Sequence, residues 1–281
     1  MRIVQIVLEG ASAYERKSQA IDAAALAPSH EIALRPAEPF DPAGAGVAHV
    51  YGPFELPFRL FARFPLPYVA SGRPAKRRFA LRSARQPGYV VAPVSSEEAD
   101  LLPEAVDERY FATPPVREAG PRRLIGTFAG GRHGVRAMVE QTAARIARFR
   151  DDVDWHLFDT PPGPEDLARL DAWVDPAVDE RDYDGFVAEA VVCGIVTIAS
   201  RTAVNRQRLE QGRTGLLVPP GDPNELAHAV LAALFKSEVR QQRLDAARQT
   251  ASKFRPYHRL RVLVQMYANL LETARDTPGL T

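Results

Sequence analysis

Glu189 is the only charged side chain in Gly185-Phe-Val-Ala-Glu-Ala-Val-Val-Cys-Gly194. An ionised carboxylate among such neighbours is costly to bury without a partner. Two readings stand. Glu189 can lie in the first turn of a helix over Phe186–Cys193 and face water, where the macrodipole favours it by about 0.3–1 kcal/mol. Alternatively it accepts hydrogen bonds from ligand hydroxyls at the mouth of a sheet, beside backbone N–H groups able to receive an anion. A second stretch, Ala129-Gly-Gly-Arg-His-Gly134 with Arg136 beyond it, brings cations and glycines together. Its glycines let the backbone approach an anion closely, and an arginine can bind phosphate through two parallel N–H groups. Glycine and arginine also make ordinary turns.

The elements that must position these residues can be read from local pattern. Gly194 is placed to stop the Glu189 helix, and Ile195-Val-Thr-Ile-Ala199 follows as a β-branched strand suited to a sheet interior. Arg123–Phe128 is a strand leading into the glycine-rich loop, and Val135 to about Phe149 the helix after it. Val153–Phe158 and Ala172–Pro176 are further strands. Asp222 should cap a helix with Pro223 at its first position and Glu225 completing a capping box. Nearer the start, Ile3–Leu8, His30–Arg35 and Val47–Tyr51 read as strands, with a helix to about Leu26. In Tyr89-Val-Val-Ala-Pro-Val-Ser-Ser-Glu-Glu98, Ser95 or Ser96 would cap a helix with Glu97 and Glu98 in its first turn. Tyr257 to about Ala274 carries Leu260, Leu263, Val264, Tyr267 and Leu271 on one face of a long amphipathic helix. Phe54, Phe58 and Phe61 have helical spacing and suit a core-facing helix. The alternative is an amphipathic patch that, with Arg59 and Arg63, touches a membrane or a lipid-linked acceptor.

Taken with Gly212-Arg-Thr-Gly-Leu-Leu-Val-Pro-Pro-Gly-Asp222, the residues Gly185-Phe186, Glu189-Ala190 and Cys193-Gly194 resemble the C-terminal domain of the retaining GT-B glycosyltransferases of family 4, the glycosyl transferases group 1. The resemblance is close from Asp184 to the C-terminus and loose before it. It implies an α/β fold of two Rossmann-like domains facing a cleft, both reduced relative to the family. The expected division is 1–116 for the acceptor side and 117–281 for the nucleotide-sugar side, with the linker over Thr113–Pro121 and the last helix crossing back to the N-terminal domain. The implied activity is retaining transfer of a sugar from a nucleotide-diphosphate donor to an unspecified acceptor, without a metal or other cofactor. Glu189 would hold the ribose, and Arg132 and Arg136, with His133 adjacent, would neutralise the diphosphate. The amides of Gly185, Phe186 and Val187 would help hold the donor, and the Gly10 loop would contribute to the ligand site. His49 would face the reaction from the other domain, although a histidine in an apolar strand is equally a satisfied core residue. The family carries a pair of glutamates at fixed spacing, and the first position is Arg181 here. Glu180, Asp182 or Asp184 would have to stand in, and Asp184 is taken as the sugar-orienting candidate. The alternative function is a catalytically degenerate GT-B protein that binds a ligand or a partner transferase.

Composition narrows the remaining classes. The 281 residues carry 36 basic and 35 acidic side chains, for a net charge of +1. That balance argues against a dedicated nucleic-acid binder. A local basic run, Arg73-Pro-Ala-Lys-Arg-Arg78, could serve an acidic substrate or membrane face, or simply be solvated surface. No apolar run approaches the ~20 residues that span a bilayer, so a cytoplasmic protein is expected, with the inner membrane face as a peripheral site. Cys193 is the only cysteine, which excludes an intrachain disulfide and zinc-ligand spacing. A dinucleotide enzyme is disfavoured, because Gly10 is the only glycine in the loop after the first strand. Sugar, base, acceptor and oligomeric state are left open.

Overall fold

The computed structural model describes residues 1–8, 11–35, 44–52, 66–71, 88–92, 100–113, 121–178, 182 and 184–275. The chain begins with β1 (Arg2–Val7), α1 (Ala13–Leu26), β2 (Glu31–Arg35) and β3 (Val47–Tyr51). β4 (Tyr68–Ser71), β5 (Gly88–Ala92), β6 (Asp100–Leu101) and α2 (Glu108–Ala112) follow. Next come β7 (Arg123–Phe128), α3 (Val135–Ile146), β8 (Val153–Phe158), α4 (Pro164–Ala168) and β9 (Ala172–Asp175). Then run α5 (Val187–Val192), β10 (Val196–Ser200), α6 (Ala203–Arg208) and β11 (Leu216–Val218). The last helices are α7 (Pro223–Phe235), α8 (Ser237–Thr250) and α9 (Pro256–Arg275).

These elements form two compact units. The first comprises Met1–Ala105 together with Pro256–Thr281, and the second Val106–Arg255. The linker expected around residue 116 lies outside the described residues, as do the aromatic segment at Phe54–Phe64, the basic run at Arg73–Arg78 and the helix expected after Ser95.

The first unit is built on a parallel sheet in the order β2-β1-β3-β4-β5-β6. Ile3, Val4 and Ile6 of β1 are all buried, the continuous apolar run expected of a strand covered on both faces. Ser12 opens α1 with a capping box: its hydroxyl accepts from the Glu15 amide, and the Glu15 carboxylate accepts from the Ser12 amide at 2.7 Å. Leu263, Tyr267 and Leu270 of α9 pack with Ile3, Val47, Val69 and Val91 in this unit's core.

The second unit has a parallel sheet in the order β11-β10-β9-β7-β8. Its core joins Ile125, Val174, Val196 and Ile198 from the strands to Met138, Ile146, Leu226 and Val230 from α3 and α7. Asp222 caps α7 by accepting from the amides of Asn224 and Glu225 at 2.9 and 3.1 Å. Gly194 ends the Glu189 helix in the left-handed region at φ +68°, a conformation open to glycine at little cost. After β7 the chain pairs β8 on one side and then returns to pair β9 on the other. In a parallel α/β sheet such a reversal opens a crevice at the carboxyl ends of the two strands, where ligands bind.

Candidate functional site

Arg132 lies in the loop that leaves the carboxyl end of β7, at the reversal between β7 and β9. Its side chain is almost wholly buried and every nitrogen of its guanidinium has a partner. Nη1 donates to the Phe128 carbonyl at 2.8 Å, and Nη2 to Asp175 Oδ1 at 2.5 Å. Nε donates to both oxygens of Asp182, at 2.8 and 3.1 Å. Burial alone would disfavour the cation, but the two carboxylates outweigh it and hold its pKa above the usual arginine value. Asp182 shows the opposite balance. Desolvation raises its pKa, Arg132 opposes that, Asp175 adds to it, and the net shift is upward.

Asp175 ends β9 and is fully buried. Its second oxygen accepts from Asn205 Nδ2 at 2.7 Å, and the same amide donates to the Ser200 carbonyl at 3.1 Å. Three strand ends, those of β7, β9 and β10, are thereby tied together. Gly185 crosses directly over the carboxyl group of Asp175, where an added Cβ would stand 2.4 Å from Asp175 Cγ. The Gly185 carbonyl accepts from Trp173 Nε1 at 2.7 Å. The chain approaching α5 is therefore seated on the end of β9 by close contact rather than by loop sequence alone.

Phe186 precedes α5 at φ 51° and ψ 27°, the left-handed region that a non-glycine residue enters only where the surroundings hold it. Its ring packs edge-on against Phe128, with centroids 5.0 Å apart. This outlier shortens the expected helix, which starts at Val187. Glu189 is fully buried, so the reading in which it faces water is overturned. Its carboxylate interacts electrostatically with Tyr110 and Cys193, whose pKa values it helps to raise after desolvation, the Cys193 thiol to about 12. Tyr110 in turn donates from its hydroxyl to the Pro162 carbonyl at 2.6 Å.

The remaining candidates are placed differently from one another. Asp184 is half-buried, and its amide donates to Asp182 Oδ1 at 3.2 Å. His133 and Arg136 are exposed, and Arg136 pairs with Asp159. Gly10, Glu180 and Arg181 lie outside the described residues. For His49 the structure calls for a correction. It sits mid-strand in β3, fully buried, with Nδ1 2.6 Å from the Tyr267 hydroxyl and Nε2 2.6 Å from Ser71 Oγ. With both ring nitrogens engaged inside the first unit, it presents none to a ligand. Tyr51, 2.9 Å from the same Nδ1, donates to Asp22, which also receives two hydrogen bonds from Arg259. Its satisfied-core reading is the one that fits.

Sequence reasoning left Asp175 and Asn205 out of the site. An aspartate inside Ala172-Trp-Val-Asp175 was a usable signal, since a carboxylate ending an apolar strand needs a partner; Asn205 gave none. Among the described residues no group of three or more His, Cys, Asp or Glu is arranged to hold a metal. Nor is any described helix long and apolar enough to cross a membrane.

Comparison with known proteins agrees with this geometry. Residues 105–235 match the family described as Glycosyl transferases group 1. The D-inositol 3-phosphate glycosyltransferase of Saccharomonospora viridis is 27% identical over 181 residues, 63% of this chain but 41% of that protein. This chain thus spans less than half the length of that curated relative. Among solved structures, a glycosyltransferase from Rickettsia africae superposes with a TM-score of 0.72 at 10% identity, covering 96% of this chain and 98% of that one. Anabaena Alr3699/HepE in complex with UDP and glucose superposes at 0.70 with 12% identity, covering 95% and 99%. At such identities the likeness is one of fold. Two parallel α/β sheets, the crevice at the reversal of the second and the match over residues 105–235 converge: the chain has the two-sheet α/β fold of these glycosyltransferase structures, and its second unit is similar to the glycosyl transferases group 1.

Proposed function

We propose that the protein transfers a sugar from a nucleotide-diphosphate donor to an acceptor hydroxyl with retention of anomeric configuration. The observation that carries this reading is the position of Arg132: a guanidinium at the strand reversal, beside Gly185 and the left-handed Phe186, within the segment that matches the family. Solved neighbours of the same fold bind UDP and UDP-glucose, which supports a nucleotide sugar as the donor.

In the proposed reaction the acceptor hydroxyl oxygen bonds to the anomeric carbon as the bond from that carbon to the diphosphate oxygen breaks; the nucleoside diphosphate leaves with the electron pair and takes up the hydroxyl proton. Arg132 meets the charge that develops on the leaving group in a site largely closed to water, where a fixed cation acts most strongly. Arg136 and His133, on the exposed side of the same loop, draw the anion in. The amides of Gly185, Phe186 and Val187 hold the donor, Asp184 orients the sugar, and Glu189 receives the ribose hydroxyls. Glu189 is fully buried, so the last assignment requires the side chains now against it to yield.

Calorimetric titration with UDP, GDP and ADP, followed by a donor-hydrolysis assay with the matching nucleotide sugar, tests the proposal. Saturable binding with release of free sugar is expected. Binding without turnover would instead identify a ligand-binding protein of this fold, and no binding of any nucleotide would remove the donor site.

A further inference from the structure

Arg132 has two counter-ions that differ in how firmly they are held, and the difference suggests how the cation becomes available. Asp175 is fully buried, is anchored through its second oxygen to Asn205, and has Gly185 packed on its carboxyl group. Asp182 has none of this. Its side chain is 14% exposed, and among the described residues its hydrogen bonds come from Arg132 and, at a long 3.2 Å, from the Asp184 amide. Yet Asp182 covers the most useful part of the guanidinium. Nε donates to both of its oxygens and Nη2 stands 2.8 Å from Oδ2, so Asp182 lies along the edge of the guanidinium that a phosphate group would engage.

Resting on the donor-site reading above, we infer that Asp182 is an internal stand-in for the donor phosphate, which an arriving diphosphate must displace from Arg132. The electrostatics follow from the charges on the page. With both aspartates in place, one cation is opposed by two carboxylates, and the cluster is unfavourable for a further anion. When Asp182 withdraws, Arg132 and Asp175 remain as a neutral pair with Nε and the guanidinium edge beside it uncovered. The buried partner keeps the guanidinium oriented throughout, so binding exchanges one anion for another without leaving the cation unpaired. Desolvation already works against the charged form of Asp182, in keeping with its being the partner that gives way. The consequence is selectivity: a ligand with a single weak negative charge does not repay the lost ion pair, whereas a diphosphate does.

Titration of UDP and of inorganic pyrophosphate into the wild-type protein and Asp182→Asn tests the exchange. Removing an internal competitor raises the apparent affinity of both ligands, here by at least about fivefold. Damage to a merely structural ion pair lowers it. Asp159→Asn, at the exposed partner of Arg136, removes the same charge from the same loop region without touching Arg132, and should give a smaller change. Thermal melts establish which proteins are folded, and Asp182→Ser serves if Asp182→Asn is not. Equal or weaker binding in the folded Asp182 variant, or an equal gain in Asp159→Asn, overturns the stand-in while leaving the donor site intact. If no folded protein, wild type included, binds either ligand, the donor site itself falls and the stand-in with it.

Discussion

At Glu189 packing and binding make opposite demands on one carboxylate. The sequence left its burial open, because its neighbours are apolar or glycine while a first-turn carboxylate can also face water; its electrostatic interaction with Tyr110 was not legible, since Tyr110 comes from a helix far back in the chain. If ribose hydroxyls reach Glu189, then Glu189→Ala removes hydrogen bonds to a charged group and weakens nucleotide binding by about tenfold or more. Calorimetry on a variant with an unchanged circular dichroism spectrum measures this, and unaltered affinity takes Glu189 out of the site. Gly185 carries a different expectation. A methyl group there would meet the Asp175 carboxyl at 2.4 to 2.5 Å, so Gly185→Ala should destabilise the second unit by about 1–3 kcal/mol, as overpacking does, and lower nucleotide affinity with it. A urea melt showing no loss would mean that the loop relaxes freely.

Elements with a single strong local pattern stand where they were expected. Val47–Tyr51, Arg123–Phe128 and Val153–Phe158 are strands at the residues read from their β-branched and aromatic content. β4 was missed because Tyr68–Ser71 is too short for a period to declare itself and follows a proline-rich stretch. α5 begins one residue late because Phe186 takes a left-handed conformation that its side chain gives no reason to expect. The pairing of Arg132 with Asp175 was hidden for another reason: it follows from β7 lying beside β9, and strand order is not written in any one segment. At the same scale, β3 and α9 are joined by His49 and Tyr267. Burial, with the Arg259 cation adding to it, holds the His49 pKa well below 6.5. The unfolded chain therefore takes up this proton below about pH 6.5 while the folded one resists, so the stability present above that pH is lost as pH falls. His49→Gln should flatten this part of the pH dependence of the first unit's urea midpoint; a profile with wild-type slope would assign the acid sensitivity elsewhere.

On the scale of the whole molecule, the chain leaves the first unit after Ala105, completes the second, and re-enters the first at Pro256. The family resemblance implied an α/β protein, composition showed no large charge imbalance, and the long amphipathic pattern after Tyr257 located the final helix. What local pattern did not disclose is how polar its buried face is. Arg259 donates to Asp22 through Nε at 2.6 Å and Nη2 at 2.9 Å, both side chains being about 2% exposed. A charge so enclosed is costly once its partner is gone, by about 3–5 kcal/mol. A chain ended at Arg255 should therefore leave Asp22 and the sheet face under Tyr267 uncovered. Limited proteolysis is expected to cut the first unit rapidly and spare residues 121–250; equal resistance in the two units would show that α9 is dispensable.

That re-entry also fixes an order of events during synthesis. Residues 106–255 emerge from the ribosome before α9 does, so the second unit can close around its own core while the earlier-made unit still waits for its last helix. Of the two units the one begun earlier is completed later, and in that interval the Asp22 carboxylate and an apolar sheet face are open to whatever the nascent chain meets.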